Sequence, residues 1–363
     1  MRILIRNGQV VDPSSKTEGR FDVLVEGDRI VRVAEQIDET ADRVLDAEGC
    51  YVMPGFIDLH VHLRDPGLTY KEDIVTGAQA AARGGVTTVL AMPNTKPVMD
   101  DPSRVAYVKH KAKEFAVINV LQVGAITKGM KGEELSDIEG MVKMGIPAIS
   151  EDGKSVMNTQ LYKEAMEIAK ELDIPVLAHC EDIDMVNGGC MNEDEKSKEF
   201  GLPGISNAVE DCIVARDIIL SRDTGCHLHL CHCSTEAGAM MLKRAKEEGI
   251  SVTGEVCPHH FTLTTDDMVR NDTNYKMNPP LRRKRDVEAL RQGLKDDVFD
   301  VISTDHAPHS REEKSQSMLR APFGIVGLET SVALTITELV DTGWLTPMQM
   351  AEKMSYNPAK VTD

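Results

Sequence analysis

Aromatic side chains make up only 4% of this 363-residue chain, so any large core has to be built from aliphatics. Cations are also in deficit, 41 Lys and Arg against 59 Asp and Glu, for a formal net charge of −18. That balance argues against a general affinity for nucleic acid or an anionic membrane. A small anionic substrate stays open, provided local cations bind it against the field of the whole protein. No segment approaches 18 consecutive apolar residues, and MRILIRNGQVVDP at the N-terminus lacks the marks of a signal peptide. A cytoplasmic protein is the expectation. The eight cysteines include no Cys-x-x-Cys pair, and in a chain of this size they read as reduced and structural. In the run Cys231–Cys233, strand alternation is expected to turn both thiols away from His232.

What is present is a change of pattern near residue 54. Residues 1–53 read as short alternating strands separated by Gly, Asp and Asn turn signals, a small β domain. From there to residue 363, apolar runs alternate with amphipathic helices such as KEDIVTGAQAAARGG and STEAGAMMLKRAKEEG, the pattern of parallel βα units. Eight runs qualify as strands: Gly55–His60, Val86–Met92, Val117–Ala125, Ile146–Ser150, Val176–His179, Cys226–His232, Ser251–Cys257 and Val301–Thr304. Eight strands, each followed by a helix, predict an α/β chain folded as a (β/α)8 TIM barrel, with its active site at the C-terminal strand ends.

Those ends are where the ionisable residues gather. GFIDLHVHLRDPG carries His60 and His62, two apart and therefore on one face of a strand, with Arg64 just beyond. LAHCED ends a run in His179, HLCHCST in His232, and ISTDHAPH in Asp305 followed by His306 and His309. Apolar strands that end in His or Asp bury side chains needing partners, and a shared metal satisfies them together. Four histidines and a carboxylate exceed the roughly three protein ligands of one catalytic zinc, so two metals and a bridging anion are expected. The fourth run, GIPAISEDGKSV, offers Asp152 directly or Lys154 after carbamylation; Asp152 is preferred because it needs no modification and lies nearer the strand end.

Taken together, PGFIDLHVHLRDPG, GGVTTVLAMPNTKP, ISEDGKSV, LAHCED, LHLCHCST, EVCPHHFTLT, KMNPPLR, VISTDHAPH and APFGIVGLET resemble, in order, the dihydroorotases of the amidohydrolase superfamily. The class resembled is the one with a bridging aspartate. The resemblance implies two divalent metal ions, zinc being the expected metal. His60, His62 and Asp305 would ligate one and His179 and His232 the other, with Asp152 between them. It also implies a substrate pocket of Arg64, Asn94 and His309 for a carboxylate, and Asn278, Phe323 and Gly324 for a ring, with His62 at its edge. The implied activity is the reversible cyclisation of N-carbamoyl-L-aspartate to L-dihydroorotate in pyrimidine biosynthesis, using a hydroxide held between the metals and Asp305 as general acid and base. A homodimer and an association with aspartate transcarbamoylase are the assemblies such a resemblance suggests. Two departures stand out. The chain ends at YNPAKVTD, about where family members return to the N-terminal strands, so the small β-sandwich is expected to lack its C-terminal strands. Glu151 replaces a more familiar Asp and should point away from the metals. The polar, aperiodic HSREEKSQSMLRAPFG has the composition of a mobile lid and equally of an ordinary surface loop.

Overall fold

The computed structural model describes residues 1–362. Its first five strands, β1 (Arg2–Asp12), β2 (Thr17–Glu26), β3 (Arg29–Ala34), β4 (Arg43–Asp46) and β5 (Tyr51–Val52), form one sheet. The order is β3-β2-β1-β4, with β5 also pairing with β1. Antiparallel pairing joins β1 to β2 and β2 to β3, whereas β4 and β5 lie parallel to β1. On one side Leu4, Leu24 and Ile37 are buried together. On the other a hollow of about 430 Å³ opens among Val10, Val23, Val33, Val52, Ile57 and Tyr356. It is larger than the cavity among the ligand candidates, but its apolar walls offer nothing for catalysis.

The remaining strands are β6 (Phe56–Val61), β7 (Val86–Ala91), β8 (Asn119–Gln122), β9 (Gly124–Ala125), β10 (Ile149–Ser150), β11 (Val176–Ala178), β12 (Met191–Asn192), β13 (Gly204–Ile205), β14 (Leu228–Leu230), β15 (Val252–Val256) and β16 (Val301–Ile302). Apart from the side pair β12-β13, they make two parallel ladders, β6-β7-β8 and β9-β10-β11-β14-β15-β16, joined through the chain itself at Val123. The outer edges also meet. Val61 bridges His306 in parallel, and His62 N–H donates to the His306 carbonyl at 2.8 Å.

All eight expected runs form strands, most of them shorter than expected. Pro147 has no N–H to give to a ladder, which confines the fourth to Ile149–Ser150. Thr304 N–H bonds to the Asp58 carboxylate at 3.2 Å in place of a neighbouring carbonyl, which ends the last at Ile302. Helices follow the strands as their periodicity predicts, among them Ile74–Arg83, Thr159–Glu171, Glu236–Glu247 and Lys284–Lys295. On one face of these ladders Leu59, Leu90, Val123, Ala148, Leu177 and Val301 pack together, each fully buried. On the other, Val89, Ile149, Val176 and Leu228 meet the small or branched helix faces of Ala81, Ala165 and Leu242. The core is aliphatic, as a chain poor in aromatics requires. Among the described residues no helix is long and apolar enough to cross a membrane.

The loops after β6 and β7, which carry Arg64 and Asn94, are locked together. Lys96 N–H donates to the Pro66 carbonyl at 3.1 Å. Gly67 adopts φ 84°, and a Cβ there would stand 1.8 Å from the Lys96 carbonyl oxygen. Gly67→Ala should therefore lower stability by about 2 kcal/mol or more, from left-handed strain plus a backbone clash. Thermal denaturation reads this directly, and an unchanged midpoint would mean that the two loops separate at no cost.

Candidate metal and substrate site

His60 and His62 alternate correctly on β6 and its end, and His179 follows β11 immediately. Asp152, His232 and Asp305 lie two or three residues beyond β10, β14 and β16. All six converge. The Asp152 carboxylate stands at their centre: Oδ1 lies 3.1 Å from His60 Nε2, 3.5 Å from His179 Nδ1 and 3.8 Å from His232 Nε2, while Oδ2 is 3.3 Å from His62 Nε2. Asp305 Oδ1 reaches the first pair, 3.0 Å from His62 Nε2 and 3.5 Å from His60 Nε2. His179 Nδ1 and His232 Nε2 are 2.8 Å apart. Lys154, the alternative bridge, instead donates to the Met130 carbonyl at 2.9 Å. Glu151 turns away as expected and accepts the Thr127 N–H at 3.0 Å.

Second partners fix the histidines. His60 Nδ1 lies 2.8 Å from Glu255 Oε1, His62 Nδ1 2.9 Å from Asn94 Oδ1, and His179 Nε2 3.1 Å from Glu181 Oε2. Each partner is an acceptor oxygen, so each outer ring nitrogen is the N–H and each inner one presents a lone pair to the centre. Two buried atoms at that centre, His60 Nε2 and Asp152 Oδ1, have no hydrogen-bond partner. An orphaned imidazole lone pair beside an orphaned carboxylate oxygen is the donor set of a divalent cation. Two overlapping groups of three meet the spacing for an ion, His60–His62–Asp305 and His60–Asp152–His232.

Burial alone would push both aspartates up. The histidines that face it, His60 first and then His179 and His232, outweigh burial at Asp152 and hold that carboxyl well below its ordinary value. At Asp305 the proximity of His62 and His60 does the same, so it too is lowered. Both are carboxylates near neutrality.

A cavity of about 220 Å³ opens onto this centre, and every expected site residue except the deeply placed His60 lines it. Arg64 is 8% exposed, and its Nε donates to the Pro308 carbonyl at 3.1 Å. Among the described residues no carboxylate pairs with it. Its two acidic neighbours in sequence are otherwise engaged: Asp65 with Lys111 at 2.6 Å, and Glu72 with His306 at 2.8 Å. His306 is thereby accounted for outside the site. His309 accepts from Lys71 at Nδ1 (3.1 Å) and donates from Nε2 to the Phe323 carbonyl (2.7 Å). Burial, and then the charges of Arg64 and Lys71, push its pKa down to about 4, so it is a neutral imidazole. Gly324 adopts φ 134°, and a Cβ there would meet the Ala307 carbonyl at 2.6 Å. Asn278 reaches the pocket with its Nδ2 donating to Glu181 Oε1 at 2.7 Å.

Other segments around this centre are also fixed by specific contacts. Residues 309–324 are tied down: Lys314 Nζ bonds to the carbonyls of Lys276, Pro322 and Gly324 at 2.8–3.3 Å, and Met318 is buried. The strand carrying His232 ends at Leu230, so alternation does not govern Cys231, which sits close to His60 and Glu255. Burial pushes that thiol up to about 12, and it remains protonated. Cys257, His259 and His260 form another close group, in which burial raises the thiol well above its usual value and lowers both imidazoles. Glu181 and Glu255 were missed altogether. The signal was there for Glu255, a lone charge within the apolar run SVTGEVC.

Residues 49–238 match the family model described as Dihydro-orotase-like. Proteins named dihydroorotase from Acetivibrio thermocellus and Clostridioides difficile are 48% and 47% identical to this chain, over 99% of its length and 84% and 85% of theirs. Among solved structures, a D-hydantoinase from a Bacillus species superposes with a TM-score of 0.85 at 28% identity, covering 99% of this chain and 81% of that one. An L-hydantoinase (dihydropyrimidinase) from Arthrobacter aurescens gives the same TM-score at 24% identity, over 99% and 82%, and attests to the fold alone. The motifs quoted from the sequence, the gathering of their residues around Asp152 and nearly full-length identity approaching one half lead to one assignment: the chain belongs to the dihydroorotase family.

Proposed function

We propose that the chain is a dihydroorotase, which closes N-carbamoyl-L-aspartate to L-dihydroorotate and water, reversibly, in pyrimidine biosynthesis. The observation that carries this reading is a buried arginine, Arg64, without a carboxylate partner among the described residues, in the same cavity as the Asp152-centred cluster. A planar guanidinium recognises a carboxylate through two parallel, charge-assisted bonds. The substrates of hydantoinases and dihydropyrimidinases mostly lack that carboxylate, which gives Arg64 a discriminating role.

His60, His62 and Asp305 would hold one divalent ion, His179 and His232 a second, and Asp152 would bridge them; zinc is the metal that this donor set most suggests. Such a pair, when bound, polarises a carbonyl and makes a water nucleophilic near neutrality. Asp305, ionised and at the cavity wall, accepts the proton of the attacking water in the ring-opening direction and delivers it to the leaving ring nitrogen. Arg64, Asn94 and the neutral His309 orient the carboxylate, while Asn278 and the backbone at Phe323 and Gly324 face the ring. Their positions at several strand ends suit a (β/α)8 barrel built from residues 54–363, with residues 1–53 as a small β domain.

Turnover of L-dihydroorotate, with dihydrouracil and hydantoin in parallel, tests the substrate. Arg64→Ala should cost about a hundredfold or more in kcat/KM on dihydroorotate and leave residual turnover of the uncharged rings intact. Turnover confined to the uncharged rings in the parent protein would overturn the role given to Arg64. Asp305→Asn should lower kcat by about 10²–10⁴, the range for a lost general acid and base; near-native turnover with metal bound would remove Asp305 from that role. Chelation should lower the thermal midpoint. Zinc returned at a hundred times its dissociation constant should restore about 2.7 kcal/mol, and a midpoint indifferent to metal would contradict the ligand set.

A further inference from the structure

β15 lies between the strands that deliver His232 and Asp305, yet Val252–Val256 supplies none of the six proposed ligands. It supplies Glu255, which is fully buried. A carboxylate so placed is costly unless its oxygens are engaged, and these are. Oε1 lies 2.8 Å from His60 Nδ1 and accepts the His232 backbone N–H at 3.0 Å. Oε2 lies 3.2 Å from Nε2 of His229, itself fully buried, whose Nδ1 is 2.8 Å from Thr253 Oγ1. The Glu255 backbone carbonyl accepts the Cys233 N–H at 2.9 Å, so residues 232–233 fold around this one residue.

Two consequences follow from that geometry. With Nδ1–H committed to Glu255, the His60 ring can present only an Nε2 lone pair toward Asp152, and its rotation is fixed. His232 adopts φ 33°, a left-handed conformation that costs on the order of 1–3 kcal/mol and persists only where its surroundings impose it. The bond from its N–H to Oε1 is such a restraint. One oxygen atom thus constrains a ligand from each half of the cluster, by its ring in one case and by its main chain in the other.

We infer that Glu255 is a positioning residue for the metal centre, setting the orientation of His60 and the backbone of His232 so that both address ions beside Asp152. This rests on the ligand set of the proposed function. Outer partners of metal-bound histidines typically contribute 10–100-fold to metal affinity, which sets the scale of the test. Glu255→Gln and Glu255→Ala would be compared with the parent protein in three readouts: zinc affinity by chelator competition, the visible spectrum of the cobalt-loaded protein, and the melting midpoint of the metal-free form. Glu255→Gln keeps the volume and one acceptor oxygen, so it keeps the test usable if the alanine variant fails to fold. The expected result is zinc held about tenfold more weakly by Glu255→Gln and up to a hundredfold by Glu255→Ala, with a shifted cobalt spectrum in both. Unchanged affinity and spectrum in variants that merely melt earlier would make Glu255 a structural residue and overturn the inference. Should the parent protein itself take up no zinc, the ligand set fails and this inference with it.

Discussion

The structure turns on one buried carboxylate. Asp152 is 2% exposed and faces the ring nitrogens of four histidines, an arrangement that is stable only with positive charge shared among them. Everything nearby serves to keep those nitrogens pointed inward with lone pairs. Glu255, Asn94 and Glu181 each take the outer N–H of a different histidine, and each comes from a different part of the chain. The segments that carry Arg64 and His309 are braced in turn, by Asp65 with Lys111 and by Lys314 with three carbonyls.

The same partners connect the chemistry to recognition. Asn94 Oδ1 holds His62, and Asn278 reaches His179 through the two oxygens of Glu181. Groups proposed to touch substrate and groups proposed to touch metal therefore share hydrogen bonds, so a substrate drawing on Asn94 or Asn278 also acts on the ligand set. In a chain with a net charge of −18, the role proposed for Arg64 would have it meet an anion against an unfavourable background. Burial answers that difficulty, because an arginine shielded from water and paired with no carboxylate among the described residues attracts one more strongly than a surface arginine does.

Much of this was legible in the sequence. The alternation of apolar runs and helices located the strands of the two main parallel ladders, and the six proposed ligands stood out because His or Asp closing an apolar run has no cheap structural explanation. What stayed hidden depended on contacts between distant segments. Glu181 looks like one acid in the polar LAHCED, and only the approach of Asn278, 97 positions away, shows its purpose. Composition fitted a lid or an ordinary surface loop for residues 309–324, and it cannot show three carbonyls converging on Lys314. Cys231 lies past the end of its strand, where period-two reasoning no longer applies. Pro147 was the opposite case: its missing N–H was visible, and it accounts for a strand shorter than its apolar run.

Arg64, His232 and Asp305 all have positive φ, at 59°, 33° and 48°. This backbone geometry restricts how the pocket could be altered by evolution or by a protein engineer. Left-handed positions tolerate Asn, Asp and Gly and penalise β-branched residues, so Val, Ile or Thr at position 64 would disturb the main chain as well as the charge. Asn278 and Phe323 carry no such restriction in φ, but Asn278 is tied to His179 through Glu181, which leaves the Phe323 side chain as the place to change with the least effect on the strand-end scaffold.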